Sequence, residues 1–281
     1  MARTSGRAGL LDRVLERWGE PPPQEHDLAA LDRLHRAYLR EVPFENVTKL
    51  IKAARTGASP ASIRTPVEFW DEHLRWGSGG TCFAATFAYQ FLLRYLGFSS
   101  RLLFCRLPAE SRQAHAALLV HIEGGDVLVD VGYALPAPLP LSGNGTIQRT
   151  TPYCDLELRA GPGGEWLVFS EDDRGQRFRY RFHAEEVTES RFREAWGLTF
   201  RPDAPYMRRL ALGRFVDGTR FLFRDPDQVF EIRREGERAH TLPAPLVPAL
   251  SARFGIPEAL LQASVDALER LLEKARSAPL P

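Results

Sequence analysis

At Gly97 the hydrophobic period of the chain switches from helical to extended, so any fold must join a helical front to a β-rich middle. Just upstream, Phe83, Phe87, Phe91 and Tyr95 fall four apart, with Ala84, Ala88, Leu92 and Leu96 alongside. Two adjacent apolar stripes predict a helix buried on most of its surface, with Gly97 as its C-terminal cap. Downstream, residues 101–107, 116–122 and 127–131 have strand character, and Gly124-Gly125 is a hairpin signal between the last two.

The flanks extend the same reading. Leu11, Val14, Leu15 and Trp18 form a helical stripe that Pro21-Pro22-Pro23 ends. Asp27 is the N-cap of a second helix running through Leu28, Leu31, Leu34 and Tyr38 and stopping before Pro43. Residues 66–76 predict a further short helix. The Pro-rich stretch 136–140 leaves the strand region, and strand-like segments recur at 166–169, 178–182, 220–223 and 229–232. Leu260, Leu261, Leu268 and Leu271 mark a closing helix over 257–274. Helices first, strands in the middle and a mixed end make an α+β layout.

Composition excludes more than it identifies. Lys+Arg 37 against Asp+Glu 36 leaves a formal net charge of +1, which gives no global electrostatic case for nucleic acid or an acidic membrane. The pairs Arg208-Arg209 and Arg233-Arg234 read as solvated surface. Nothing approaches the roughly 18 apolar residues of a membrane span, and there is no N-terminal apolar run of signal-peptide length. Cys82, Cys105 and Cys154 are too few and too scattered for a disulfide framework or a zinc site. The expected setting is reducing and cytoplasmic, with no metal and no bound cofactor.

One of those cysteines stands apart. Cys82 ends the run Gly77-Ser78-Gly79-Gly80-Thr81-Cys82 and opens the buried helix. A helix N-terminus sets unsatisfied N–H groups and the positive end of the dipole beside the sulfur, which favours the thiolate. The same N–H groups are available to a developing oxyanion. The glycines allow a close backbone approach to a substrate. A small cysteine packed under a helix is the plainer alternative. Cys105 and Cys154, in or beside apolar strand-like segments, read as structural.

His115 opens the apolar run Ala116-Ala117-Leu118-Leu119-Val120, and Asp130 lies inside Val127-Leu128-Val129-Asp130-Val131. A carboxylate in such a run is costly to bury without a partner. A histidine on the neighbouring strand supplies one, donating Nδ1–H to Asp130 and offering Nε2 to the thiol. A turn centred on Ile122-Glu123 sets residues 115 and 130 opposite each other, whereas a two-residue Gly124-Gly125 turn sets Asp130 opposite Leu119. The pairing requires the earlier turn or a bulge. The remaining histidines lie in no cluster at metal-ligand spacing.

These segments together resemble the arylamine N-acetyltransferase family. The resemblance is carried by Val42-Pro43-Phe44-Glu45-Asn46, Gly79-Gly80-Thr81-Cys82-Phe83, His115-x-x-Leu118-Leu119-Val120, Leu128-Val129-Asp130-Val131-Gly132-Tyr133 and Arg253-Phe254-Gly255-Ile256. It implies a cysteine-protease-like core with a helical unit over 1–97, a β-barrel over 98–200 and an α/β lid over 201–281. It implies a catalytic triad of Cys82, His115 and Asp130, with Phe44 and Tyr133 lining the acceptor pocket. It also implies ping-pong transfer of an acetyl or other acyl group from acyl-CoA, a co-substrate, through Cys82 to an arylamine, hydrazine or N-hydroxyarylamine.

The chain departs from the family pattern Arg-Gly-Gly-x-Cys-Phe-Glu-Gln-Asn, which here reads Ser78-Gly79-Gly80-Thr81-Cys82-Phe83-Ala84-Ala85-Thr86. Ser78 leaves Glu45 without the usual arginine, and Arg75 and Arg101 are the candidates to replace it. Ala134 stands where a glycine is usual. Three other readings share these residues: an amide synthase taking a carrier-bound thioester, a transglutaminase-like enzyme, and a binding protein on the same scaffold.

Overall fold

The computed structural model describes residues 2–57, 59–108, 114–141, 145–224 and 226–277. Its helical front comprises α1 (Ala2–Trp18), α2 (Leu28–Glu41), a two-residue strand β1 (Phe44–Glu45), α3 (Val47–Thr56), α4 (Pro66–Trp76) and α5 (Cys82–Tyr95). Local chemistry sets the ends. Asp27 accepts from the Ala30 amide at 2.8 Å to start α2, and Thr65 with Glu68 forms a capping box on α4. Gly77 at φ 65° closes α4. Of the predicted stripes on α5, Phe83, Ala84, Phe87, Ala88, Leu92 and Leu96 are buried and Phe91 is half-buried, but Tyr95 is exposed and donates its hydroxyl to Asp12 at 2.6 Å.

The middle of the chain gives β2 (Ser99–Arg106), β3 (Ala114–Ile122), β4 (Gly125–Val129), β5 (Leu139–Pro140), β6 (Thr146–Thr150), β7 (Asp155–Ala160), β8 (Glu165–Asp172) and β9 (Gly175–His183). They form one antiparallel sheet in the order β5-β4-β3-β2-β9-β8-β7-β6. Its end strands β5 and β6 come into contact, so the sheet curls into a nearly closed barrel. β3 is buried on both faces, which explains its unbroken apolar run. Ala116, Leu118 and Val120 pack toward the helices, while Ala117 and Leu119 point into the barrel with Leu103, Leu128, Leu158 and Tyr180. The Thr86 hydroxyl on α5 donates to the Ala116 carbonyl of β3 at 3.1 Å and docks the two.

After α6 (Glu189–Leu198) come β10 (Leu212–Val216), β11 (Thr219–Arg224), β12 (Gln228–Arg233) and β13 (Gly236–Thr241), then α7 (Leu246–Phe254) and α8 (Glu258–Ser277). Their sheet runs β1-β10-β11-β12-β13, so its first strand comes from the helical front, with Phe44 opposite Gly213. α8 lies back against α3. The architecture is the α+β arrangement expected, with both ends of the chain interlocked. No helix among the described residues is long and apolar enough to cross a membrane.

Candidate active site

Cys82 is the first residue of α5, and Thr81, the N-cap, makes no side-chain capping bond, so the first N–H groups are left to other partners. The glycines before it serve a different purpose from the substrate approach expected. A Cβ on Gly79 would sit 1.8 Å from the Pro43 carbonyl oxygen, so the close approach is to the chain's own backbone. Gly80 bridges to Phe44. From the other side, a Cβ on Gly132 would lie 2.6 Å from that of Cys82. The loop after β4 therefore rests directly on the sulfur-bearing residue.

The β3–β4 hairpin turns at Glu123-Gly124, with Ile122 opposite Gly125. Neither turn considered from the sequence occurs. Continuing the observed register sets Asp130 level with Ala117, not His115. The two side chains still meet because β4 ends at Val129 and the chain folds back, the Leu135 amide donating to the Asp130 carbonyl at 3.0 Å. His115 Nε2 and Asp130 Oδ2 lie 2.7 Å apart. This reverses the ring expected from the sequence: Nε2 faces the carboxylate, and Nδ1 is the nitrogen left for Cys82, to which the imidazole is hydrogen-bonded.

Both groups are buried, and their charges hold each other. Burial opposes the imidazolium, but Asp130 outweighs it, and Cys82 adds to the effect, so His115 is pushed up to about 10. Burial likewise works against the Asp130 carboxylate. The His115 pairing and the Tyr133 amide, which donates to Oδ1 at 2.8 Å, hold it below the usual carboxylate range. Tyr180 lies beside them, its ring 5.4 Å from that of His115 and 5.7 Å from that of Tyr133. Cys82 and His115 open into a cavity of ≈ 480 Å³ whose wall includes Phe44, Gly132 and Tyr133. Among the described residues no cluster of His, Cys, Asp and Glu is arranged to hold a metal ion.

The sequence model of the N-acetyltransferase family matches residues 27–256. The chain belongs to this family. It is 27% identical over 269 residues to an arylamine N-acetyltransferase of Mycolicibacterium smegmatis, covering 85% of this chain and 87% of that protein. It is 28% identical over 173 residues to an arylamine N-acetyltransferase of Escherichia coli K12, and 28% identical over 160 residues to the uncharacterized acetyltransferase YvcN of Bacillus subtilis. The chain spans 58% and 60% of the lengths of those two relatives. Its fold is that of the Salmonella typhimurium arylamine N-acetyltransferase, with a TM-score of 0.76 at 23% identity, covering 92% of this chain and 98% of that one. The Mycobacterium marinum enzyme in complex with CoA gives a TM-score of 0.73 at 23% identity over 94% of this chain and 98% of that one.

Against the family pattern, the unmatched Glu45 finds its cation elsewhere. Neither Arg75 nor Arg101 reaches it: Arg75 stacks on Trp76, and Arg101 pairs with Asp126. Arg64, itself buried, lies 3.8 Å from Glu45 and 2.6 Å from Glu72. It also donates to Thr48 Oγ1 at 2.6 Å and to the Gly79 carbonyl at 2.7 Å. Glu45 in turn accepts from the Thr48 amide and hydroxyl. Asn46 completes the motif by clamping the far loop: it donates to the Tyr206 and Arg209 carbonyls and accepts from the Ala211 amide. Tyr206 thereby joins the cavity wall, its ring 5.4 Å from that of Phe44. Sequence reading missed Arg64, Tyr180 and Tyr206; Arg209, read as solvated surface, is exposed as expected and also borders the cavity. Cys154, read as structural, borders it too.

Proposed function

We propose that this chain is a cysteine acyltransferase of the arylamine N-acetyltransferase type, with Cys82 as nucleophile, His115 as its base and acid, and Asp130 as the residue that orients the ring. Cys82 sulfur attacks the thioester carbonyl of acetyl-CoA or another acyl-CoA. The carbon–sulfur bond to CoA breaks, and the CoA thiol leaves with the proton His115 had taken from Cys82. An arylamine, hydrazine or N-hydroxyarylamine held between Phe44 and Tyr133 then attacks the Cys82 thioester. His115 takes the amine proton and returns it to the departing sulfur. The first N–H groups of α5 lie where the carbonyl oxygen gains charge.

The observation that carries this reading is the hydrogen-bonded chain from Cys82 through His115 to Asp130, ending in a cavity with room for an aromatic ring. The likeness to a protein whose structure holds CoA supports the choice of donor. Mixing the protein with acetyl-CoA should add one acetyl group to its intact mass, located on Cys82, and an arylamine should remove it. A wild-type protein that gains no mass, or a Cys82→Ala variant that gains as much, would sink the proposal.

A further inference from the structure

The wall of the Cys82 cavity carries six arginines against two carboxylates, Asp172 and Glu237. Arg174 and Arg177 pair with Asp172, and Glu237 takes Arg174 at 3.1 Å and Arg224 at 3.8 Å. Arg179, Arg209 and Arg220 meet no carboxylate among the described residues. Arg179 donates to Ser170 Oγ at 2.6 Å, and Arg220 donates to the Tyr133 carbonyl at 3.3 Å. Like charges gathered on one cavity wall repel, and where one of them is also desolvated the cost rises. Arg220 feels both: burial pulls its guanidinium below its ordinary value, and Arg179 and Arg224 push the same way.

The position of this excess charge is specific. Tyr133, which Arg220 touches, follows Gly132, whose backbone lies against Cys82. The half-buried Tyr206 phenol senses the Cys82 sulfur together with Arg209 and Arg220. A pantetheine arm separates the phosphates of an acyl-CoA from its thioester. An arginine that shares this cavity with Cys82 and bonds to Tyr133, one residue from the glycine packed on Cys82, therefore faces the acyl group or the acceptor.

We propose that Arg220, flanked by Arg179 and Arg209, forms an anion site beside Cys82 that holds a carboxylate carried by the substrate, on the acceptor amine or at the far end of a dicarboxylic acyl group. An oxyanion there meets planar guanidinium donors and relieves their mutual repulsion. The choice between acceptor and acyl group rests on the acyl-transfer reading above; the anion site itself does not.

Calorimetry with benzoate and benzamide tests the site without any turnover. Benzoate should bind at least tenfold more tightly, and Arg220→Gln should bring the ratio to about one. Arg179→Gln should lower the same ratio and serves if the first variant does not fold. Equal affinities in the wild type, or a ratio unchanged in both variants, would overturn the proposal. Two half-reactions then locate the carboxylate. A preference for 4-aminobenzoate over 4-aminobenzamide in discharging acetyl-Cys82 assigns it to the acceptor, and faster acylation by succinyl-CoA than by acetyl-CoA assigns it to the acyl group. Slower acylation by acetyl-CoA in Arg220→Gln, with the benzoate ratio intact, would give the arginines to the CoA phosphates and count against the site. A protein that prefers benzoate yet forms no thioester with any acyl-CoA keeps the anion site and loses the acyl-transfer reading.

Discussion

Ala134 sits at φ 59° in the turn that presents Asp130, where an L side chain crowds the following carbonyl. The family pattern has glycine at this place. Ala134→Gly relieves the strain but lengthens the list of conformations open to the unfolded chain, so the net gain should be about 0.5–1 kcal/mol. A higher midpoint in urea checks it, and an equal or lower one would contradict it. Asp130→Asn tests a different term. The amide fills the same space, but it removes the charge that holds His115 as a cation and can present an N–H to Nε2. Acylation of Cys82 should slow by roughly a hundredfold to ten-thousandfold, read as the rate of mass gain with acetyl-CoA. Cys82, His115 and Asp130 stood out in the sequence because Cys82 ends a glycine-rich run, His115 opens an apolar one and Asp130 lies inside another, where a polar side chain needs a reason. Tyr180 and Arg220 were not. They belong to strands of alternating charge and aromaticity, and only closure of the barrel and packing of the second sheet decide which of those side chains face the cavity.

Between α3, α4 and the start of α5, Arg64 ties three elements to one guanidinium: Thr48 from α3, Glu72 from α4 and the Gly79 carbonyl just ahead of Cys82. Removing one partner from a buried ionic cluster leaves the others desolvated and uncompensated. Arg64→Met should therefore cost about 3–5 kcal/mol of stability and should slow acylation by loosening the loop at Gly79. The family resemblance sets a guanidinium at position 78 beside the same glutamate. The double variant Arg64→Met, Ser78→Arg should regain part of both losses, measured by denaturant midpoint and acylation rate. No recovery would mean that the cluster depends on the path of Arg64 and not on its charge. The sequence announced the gap, through Ser78, but not the residue that fills it. Arg64 precedes a capping box in an unremarkable loop, and its reach depends on how α4 crosses α3. The hairpin register was hidden for a similar reason. A turn at Glu123-Gly124 differs by one residue from either candidate, and the His–Asp contact is made by a fold-back after β4 that strand periodicity does not encode.

Across the whole molecule, helical front, barrel and second sheet converge on the cavity through buried polar groups, so their titration should govern the pH range in which the fold holds. On the acid side burial lowers His35, and His73 acts with it. The His73 Nδ1–H donates to the Ser78 carbonyl at 2.9 Å, and its Nε2 accepts from the Trp18 indole at 3.2 Å, which leaves no place for a second proton. Burial lowers it to about 4, below its unfolded value near 6.5. The folded state then binds fewer protons between those values, so the stability it supports is present above pH 6.5 and drains away as pH falls toward 4. His115 runs the other way. Raised to about 10, its contribution is complete below pH 6.5 and is lost as pH climbs through 10. Lys49 opposes that alkaline loss. It is buried against the Thr199 carbonyl and hydroxyl and lowered to about 8, so its cost is felt below pH 8 and relieved between 8 and 10.5. Unfolding free energy should accordingly rise from pH 4 to 6.5 and decline above neutrality, more gently beyond pH 8. Urea denaturation at half-unit steps measures the curve. His73→Phe should flatten its acid limb, His115→Gln its alkaline limb, and Lys49→Met should steepen the fall above pH 8. An acid limb that keeps its slope without His73 would assign the control to other groups and leave the polar link between α1, α4 and the Cys82 loop with no measurable role in acid stability.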